Sequence, residues 1–526
     1  MKKNWIMIAL SLGLCLAGCD KQPAANPETD PDPVLSQEEV DAQKTRLYVN
    51  TFAHAYMDAY YLWNAEIRKD LDAWKETDEP IDKVQKIRYK NAKGEDIDRW
   101  TMLTDDFSSF YGSVTGNQKT YGFDFTLYGY DGTTACAVVT YTYADSPAAD
   151  VGLKRGDAIY KVNGKTLPLV AGDDGKLYLS TQAIQIVNDE LLGGDRLVAD
   201  VSRRTEPGSK TFTDVTLTLT SREMYENPVL LSKVFDCDGK KVGYLVYTSF
   251  TMDSYADLIA ACKGFKEAGV TELILDLRYN GGGFAMAEQF LASMLAPEAA
   301  VKAGDILATE IYNADLTEYF KSYGRDTNTY FTTEYSFNSG GKDYKFSTDG
   351  ANVGLEKIYA IISAGSASAS EALLCDLYPY MDITLVGEQS HGKYTTGIML
   401  EGPEFYEDNA EQVKKNMGSI GVTEGKKYTD NWGLYVMWSR FADKNGETRC
   451  MPDGLKPDVG VKDVPWDGYQ LGDAQETMLA VALGQCGYKA KAQLSRRPAP
   501  VELGERVETA PHRADFGRFI VLPPKF

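Results

Sequence analysis

Between Ser36 and Ile67 the apolar residues Leu47, Phe52, Tyr56, Tyr60, Trp63 and Ile67 recur at close to the helical period. The spacing predicts helix, and the aromatic stripe reads as a core-packing face. Residues 36–115 are therefore expected to form an N-terminal helical domain. From Tyr121 the pattern changes. Tyr121-Gly122-Phe123-Asp124-Phe125 begins a strand and residues 135–143 give a second. Ser146-Pro147-Ala148-Ala149 starts a short helix that Gly152 stops, and Lys154-Arg155-Gly156-Asp157 is a turn. A strand over 159–162 runs into Asn163-Gly164, a hairpin signal. Helix over 183–191 and strands over 197–201 and 215–220 complete a β-rich domain spanning 116–225.

Beyond Pro228 apolar strands alternate with helices. Strand 242–246 is followed by helix 254–264. Leu273-Ile274-Leu275-Asp276-Leu277-Arg278 is almost continuously apolar, as in a strand buried on two faces. Tyr279-Asn280-Gly281-Gly282-Gly283 then leads into a helix over 284–295. A buried strand over 358–362 precedes a small-residue loop, a helix over 370–378 and a strand over 383–386. This βα alternation predicts an α/β core over 226–495, so the chain as a whole reads as multi-domain α+β. Residues 300–350 and 402–432 are polar and rich in Tyr and Gly, and read as insertions that wall or cover a cleft. The tail, 496–526, has Pro498, Pro500, Pro511, Pro523 and Pro524 and no clear period. It is expected to lie over the surface.

Composition narrows the possibilities. A chain of 526 residues is too long for one ordinary core. Its formal charge of −21 argues against nucleic acid and against a basic membrane-binding face. Lys2 and Lys3 precede an apolar stretch that ends in Leu16-Ala17-Gly18-Cys19. The run is too short for a confident membrane span. It resembles a bacterial lipobox, which implies that residues 1–18 are a lipoprotein signal peptide and that Cys19 is lipidated. The chain would then be exported and anchored to a cell-envelope membrane, facing the periplasm or the cell surface. An ordinary signal peptide with a chance cysteine is the alternative. Residues 19–35, with four prolines among Asp, Glu and Ala, form a flexible tether. Cys136, Cys237, Cys262, Cys375, Cys450 and Cys486 are scattered, without metal-ligand spacing, and read as buried small hydrophobes.

The sharpest chemical signal is Gly365-Ser366-Ala367-Ser368-Ala369-Ser370-Glu371, with Gly392-Lys393 following. A serine hydroxyl is a poor nucleophile until a base takes its proton. A lysine becomes that base when burial lowers its pKa from about 10.4 toward neutrality. Ser368 falls at a strand-to-helix turn, where the positive end of the helix favours developing negative charge. A tetrahedral intermediate needs convergent N–H donors. The glycines at 281–283 offer one and Ala369 the second. Taken alone each segment is weak, because Gly-rich turns and Ser/Ala loops are common. The glycine run lacks the GxGxxG spacing of a dinucleotide site. Of the three histidines, only His391 is near Lys393 in sequence, and it is a rival base.

Together the segments are specific. Ser-Pro-Ala, Gly-Leu-Lys-Arg-Gly-Asp and Val-Asn-Gly within 146–164 resemble a PDZ domain. PDZ domains bind extended C-termini by strand addition. By that likeness Tyr121, Gly122 and Phe123 would cap a terminal carboxylate. Asp276-Leu277-Arg278, Asn280, the glycines, the serine loop, Gly387-Glu388, Gly392-Lys393 and Asp453-Gly454-Leu455-Lys456-Pro457-Asp458 resemble the C-terminal processing peptidases, also called tail-specific proteases. The resemblance covers about residues 120–465. It implies a crotonase-like α/β peptidase core behind a PDZ-like domain. It also implies Ser368 as nucleophile, Lys393 as general base, and the N–H groups of Gly283 and Ala369 as oxyanion hole. The substrate would be a polypeptide with a free C-terminus, and no cofactor or metal is implied. Many members carry a glutamine four residues after the lysine to orient it. Here that position is Gly397, which leaves Thr395 or Thr396 as candidate orienters. A catalytically silent peptide-binding lipoprotein and a non-peptidase acyl hydrolase are the rival readings. Oligomeric state is not legible.

Overall fold

The computed structural model describes residues 35–172, 175–339, 341–488, 506–507 and 518–521. The leader, Cys19 and the tether lie outside the described residues. The first helix, Gln37–Tyr60, starts where the sequence places it. Ser36 N–H donates to Glu39 Oε2 at 2.7 Å and Glu39 N–H to Ser36 Oγ at 3.3 Å, a reciprocal cap. The helix ends at Tyr60, so Trp63 and Ile67 continue the apolar stripe from turns rather than from helix. Its buried face packs on residues 402–428, with Tyr56 against Phe405 at 5.2 Å and Tyr406 Oη donating to Tyr48 O at 2.6 Å. The helices before residue 115 share one hydrophobic cluster with the α/β core.

The core holds two sheets. The first has six strands in the order Val229–Cys237, Lys240–Tyr247, Glu272–Asp276, Lys357–Ile362, Asp382–Gly387, Val459–Gly460. The opening pair is antiparallel and the others are parallel. Ligand sites in open parallel sheets lie beyond the carboxyl ends of the strands. Both loops of interest leave such ends: the glycine loop follows Glu272–Asp276, and the serine loop follows Lys357–Ile362. The second sheet contains Thr395–Glu401 and Ile306–Tyr312, each antiparallel to Gly433–Asp443 between them. Ile306–Tyr312 is thus a sheet strand, where polarity had suggested an insertion. Helices Gly402–Asp408, Ala410–Met417 and Ile420–Tyr428 pack around the N-terminal helix rather than over the cleft.

The tail departs from its expected surface course. Strand Arg518–Val521 enters the second sheet between Gly282–Phe284 and Thr395–Glu401, parallel to both. It pairs there with backbone groups of two strands that would otherwise face each other across a gap. Upstream, Val507 N–H donates to Leu127 O at 3.0 Å, and its side chain is buried in the core of the β-rich unit.

That unit is built on a seven-stranded sheet with Phe123–Gly129 paired to Thr134–Thr142. A buried ion network fixes it to the core. Arg155, from its Lys-Arg-Gly-Asp turn, donates to Asp463 at 2.7 Å and Glu476 at 3.2 Å. Arg278 donates to the same Glu476 at 2.7 and 2.9 Å and to Asp276 at 2.9 and 2.7 Å. Both guanidinium groups are almost wholly buried, and both stay charged because the surrounding carboxylates outweigh the desolvation that opposes charge. Removing one partner of such a network strands the others. Arg278→Met is expected to cost about 3–5 kcal/mol of stability, read as a lower urea midpoint. An unchanged midpoint would show that the carboxylates do not depend on Arg278.

Candidate active site

Ser368 stands at the mouth of helix Ala369–Leu377 with φ +62° and ψ −110°. A β-carbon in that region costs of order 1–3 kcal/mol and persists only where the surroundings enforce it. Four serine hydroxyls occur in this loop, and three are committed elsewhere. Ser366 Oγ donates to Leu277 O at 2.7 Å, Ser370 Oγ donates to Asn280 O at 2.8 Å, and Ser363 Oγ donates to Arg278 O. These bonds stitch the serine loop to the loop carrying the glycines. Ala367 N–H adds a bond to Asn280 O at 3.1 Å, and Asn280 itself is held by Tyr247 O at 2.9 Å.

Lys393 Nζ donates to Ser368 Oγ at 3.4 Å and to Tyr435 Oη at 2.9 Å. Ser368 and Lys393 are wholly buried. The amine also lies 5.7 Å from the ring centre of Trp100 and 5.3 Å from that of Tyr435. Thr395 Oγ1 donates to Met437 Sδ and Thr396 Oγ1 to Glu310, so the two candidate orienters are turned to other partners. The ring of His391 packs on Trp100 at 6.1 Å, and the backbone N–H of His391 donates to Ser366 O.

Glu371 fastens the two segments together. Its Oε2 accepts from the N–H of Ser368 and of Lys393, each at 2.9 Å. Its Oε1 accepts from Gly392 N–H at 2.7 Å and from the hydroxyl of Ser390. Burial pushes its carboxyl up to about 7, against these four donors that favour the anion.

Gly283 has φ +146°, and a β-carbon there would lie 2.3 Å from Phe250 O. Only glycine fits. Ala369 is the first residue of its helix, where N–H groups have no intrahelical acceptor. Tyr121 is buried and stacks on Phe123 at 6.5 Å. Gly122 has φ +77°, and its N–H donates to Thr120 Oγ1 at 3.0 Å. Phe123, Asp124, Tyr141 and Tyr143 line a cleft together with Ser249, Tyr279, Gly281, Gly282 and Gly283. The cleft therefore joins the β-rich unit to the glycine strand.

Residues 241–403 match peptidase family S41. The α/β core is thus similar to the S41 peptidases over that stretch. A carboxyl-terminal-processing protease from Synechocystis is 25% identical over 250 residues, covering 48% of this chain and 48% of its own length. A chloroplastic C-terminal processing peptidase from Tetradesmus obliquus is 26% identical over 364 residues, covering 61% and 67%. The chain spans about half the length of the relatives from Synechocystis and Bartonella bacilliformis. A crystal structure described as an S41 protease from Bacteroides fragilis superposes with a TM-score of 0.59 at 22% identity, over 88% of this chain and 98% of that one. That likeness shows the fold alone.

Sequence reasoning missed Tyr435, Trp100 and the role of Glu371. Glu371 stood inside the serine motif and carried a signal. Trp100 and Tyr435 are far from Lys393 in sequence and carried none.

Two further carboxyls lie beneath the site. The helices Ala285–Leu295 and Ala369–Leu377 pack together and bury Glu288 and Asp376. Glu288 Oε1 and both oxygens of Asp376 lack a hydrogen-bond partner among the described residues. Burial, with a smaller contribution from the Glu310 charge, pushes Glu288 up to about 8. Burial and then the Glu288 charge hold Asp376 well above the carboxylate range. Folded Glu288 keeps its proton to about pH 8, whereas the unfolded chain releases it near 4.5. The resulting penalty is absent below pH 4.5, grows as pH rises and is complete above about 8. The melting temperature is expected to fall between about pH 5.5 and 8.5, and less steeply in Glu288→Gln. Equal slopes for parent and variant would remove Glu288 as the cause.

Proposed function

We propose that this chain is a lipid-anchored serine endopeptidase of the C-terminal processing type. The observation that carries the reading is Lys393 Nζ at 3.4 Å from Ser368 Oγ, with the two side chains wholly buried at a helix N-terminus. Such bonds are often long before substrate arrives. To act as a base the amine must be neutral, and burial penalises its charged form. Ser368 Oγ attacks the peptide carbonyl carbon as its proton passes to Lys393 Nζ. The oxyanion forms beside the N–H groups of Gly283 and Ala369. Lys393 then returns the proton to the leaving amine as the C–N bond breaks, leaving an acyl-enzyme. Water repeats the sequence and releases the new C-terminus. Each oxyanion donor is worth about 2.7–4 kcal/mol of barrier.

The β-rich unit supplies the substrate end as a PDZ-like domain. Its strand Phe123–Gly129 follows directly on Tyr121 and Gly122, and an extended peptide adding to its outer edge would have to displace Arg506 and Val507, which pair there with Tyr128 and Leu127. Gly122 N–H is engaged by Thr120 Oγ1, so a terminal carboxylate would have to displace that bond to be capped there. The cleft lined by Phe123 and Gly283 would bring a peptide from the β-rich unit to the glycine strand, and reaching Ser368 from there requires the buried dyad to be uncovered. Cys19 supplies the membrane anchor, on the strength of the leader alone.

Two outcomes are expected. Ser368→Ala and Lys393→Ala, in the chain from residue 20, lower kcat on an unfolded polypeptide with an apolar C-terminus by about 10³-fold or more, with the fold unchanged by circular dichroism. Undiminished cleavage by either variant, seen by mass spectrometry, would end the dyad reading. Second, strand Arg518–Val521 lies between the glycine strand and the strand that follows Lys393. An extended substrate pairing with either strand competes with it. Ending the chain at residue 517 is expected to raise kcat/KM severalfold, and equal values for the two chains would show that the tail strand does not stand in the substrate's way.

A further inference from the structure

We infer that Tyr435 is the positioning residue of the base: its phenol oxygen holds the amine of Lys393 in line with Ser368, and position 397 is glycine to leave room for that ring. The inference rests on the dyad proposed above and adds a residue to it. A lysine amine ends four rotatable bonds from the backbone, so a buried lysine needs a fixed partner to keep one geometry. Nζ lies closer to Tyr435 Oη than to Ser368 Oγ, 2.9 Å against 3.4 Å. Tyr435 suits the task. It has two side-chain torsions, is 3% exposed, and stands in the long strand Gly433–Asp443. Its ring is braced by Phe110 at 5.6 Å.

Gly397 supplies the second, independent observation. It lies in strand Thr395–Glu401, across from Met437, directly after an irregularity in the pairing. Its φ is outside the left-handed region, so its backbone does not call for glycine. A glycine inside a strand costs stability and must be there for another reason. A β-carbon at 397 would lie 2.3 Å from Cε2, 2.4 Å from Cζ and 2.6 Å from Oη of Tyr435. The atoms it would meet are those of the hydroxyl end of the ring. The phenol therefore occupies the space from which a side chain at 397 would start, and reaches Lys393 from there. Thr395 and Thr396 are engaged by Met437 and Glu310, which leaves the neighbouring strand to provide the partner.

The test uses the full soluble chain and two readouts: the rate at which a fluorophosphonate labels Ser368, and kcat and KM on an unfolded polypeptide. Tyr435→Phe keeps the ring and its packing and removes only the oxygen. It is expected to slow labelling and lower kcat by about 10²-fold, the scale of a 1 Å misplacement, with KM and melting temperature near the parent values. Gly397→Gln alone forces a side chain into the ring and is expected to lose activity. Gly397→Gln combined with Tyr435→Ala removes the clash and puts an amide oxygen where the phenol was. Recovery of labelling in the double variant above either single change is expected, because a purely structural role for Tyr435 gives no such rescue. Parent-like labelling and kcat in Tyr435→Phe would overturn the inference. If the parent labels at Ser368 but cuts no polypeptide, the peptidase reading falls and the labelling rates still decide the role of Tyr435. If the parent does not label, Lys393 is not activating Ser368 and the positioning role falls with the dyad.

Discussion

The carboxylate of Glu371 is the contact on which the site depends. Ser368 and Lys393 belong to different segments, one leaving a strand of the parallel sheet and the other entering the antiparallel sheet. Glu371 accepts from the backbone of both, at Ser368, Gly392 and Lys393, and from the Ser390 hydroxyl. Four donors on two oxygens fill the group's usual capacity. The same bonds hold Ser368 at its positive φ, because the N–H that Glu371 captures is that of the strained residue itself. Burial pushes this carboxyl up to about 7, and in its ionised form the bonds are charge-assisted, roughly twice as strong as neutral ones. Their sum is large enough to offset the backbone strain, which costs of order 1–3 kcal/mol.

A second constraint fixes the glycine strand. Asn280 Oδ1 takes the N–H of Gly282, and its Nδ2 holds Tyr247 O. The serine loop bonds to the carbonyls of Leu277, Arg278 and Asn280. Arg278 in turn belongs to the buried network that Arg155 extends into the β-rich unit. Buried ion pairs add little net stability, since desolvation offsets their attraction. Their value here is geometric. Tyr279, whose hydroxyl bonds to Asp463 and accepts from Arg155, lines the cleft beside the glycines. A displacement of the β-rich unit would have to break charged contacts adjoining the loop that presents Gly283.

Much of this was legible from periodicity and motif. The buried strands 273–276 and 358–362, the helix after the glycines and the helix after Ser368 follow from local pattern. So does the Ser368–Lys393 pairing, through motifs that sit at strand ends. What was not legible has one physical cause, contact between segments distant in sequence. Tyr435 meets Lys393 only because Gly433–Asp443 pairs with Thr395–Glu401. Gly397 gave a sign that something differed there but could not name the partner. Ile306–Tyr312 is a mostly apolar run that was hidden inside the longer polar stretch 300–350. The tail strand Arg518–Val521 is a short apolar run among prolines, and its place between two other strands is a fact of the sheet, not of its own sequence.

The placement of the pair across two sheets has a consequence for how the site tolerates change. The serine, its helix and the glycine loop ride on the parallel sheet, while Lys393 and Tyr435 ride on the antiparallel one. The distance between Oγ and Nζ is therefore set by how the sheets pack, and core positions between them act on chemistry without touching substrate. Effects of residues that share a network are not additive. A cavity made under helix Ala369–Leu377 would move Ser368, Glu371 and Ala369 together, since all three belong to the helix or its cap. One made behind Gly433–Asp443 would move Lys393 through Tyr435 and leave Gly283 and Ala369 in place. Coupling between two core substitutions should thus depend on whether they lie behind the same sheet, and the network centred on Glu371 is where the two groups meet.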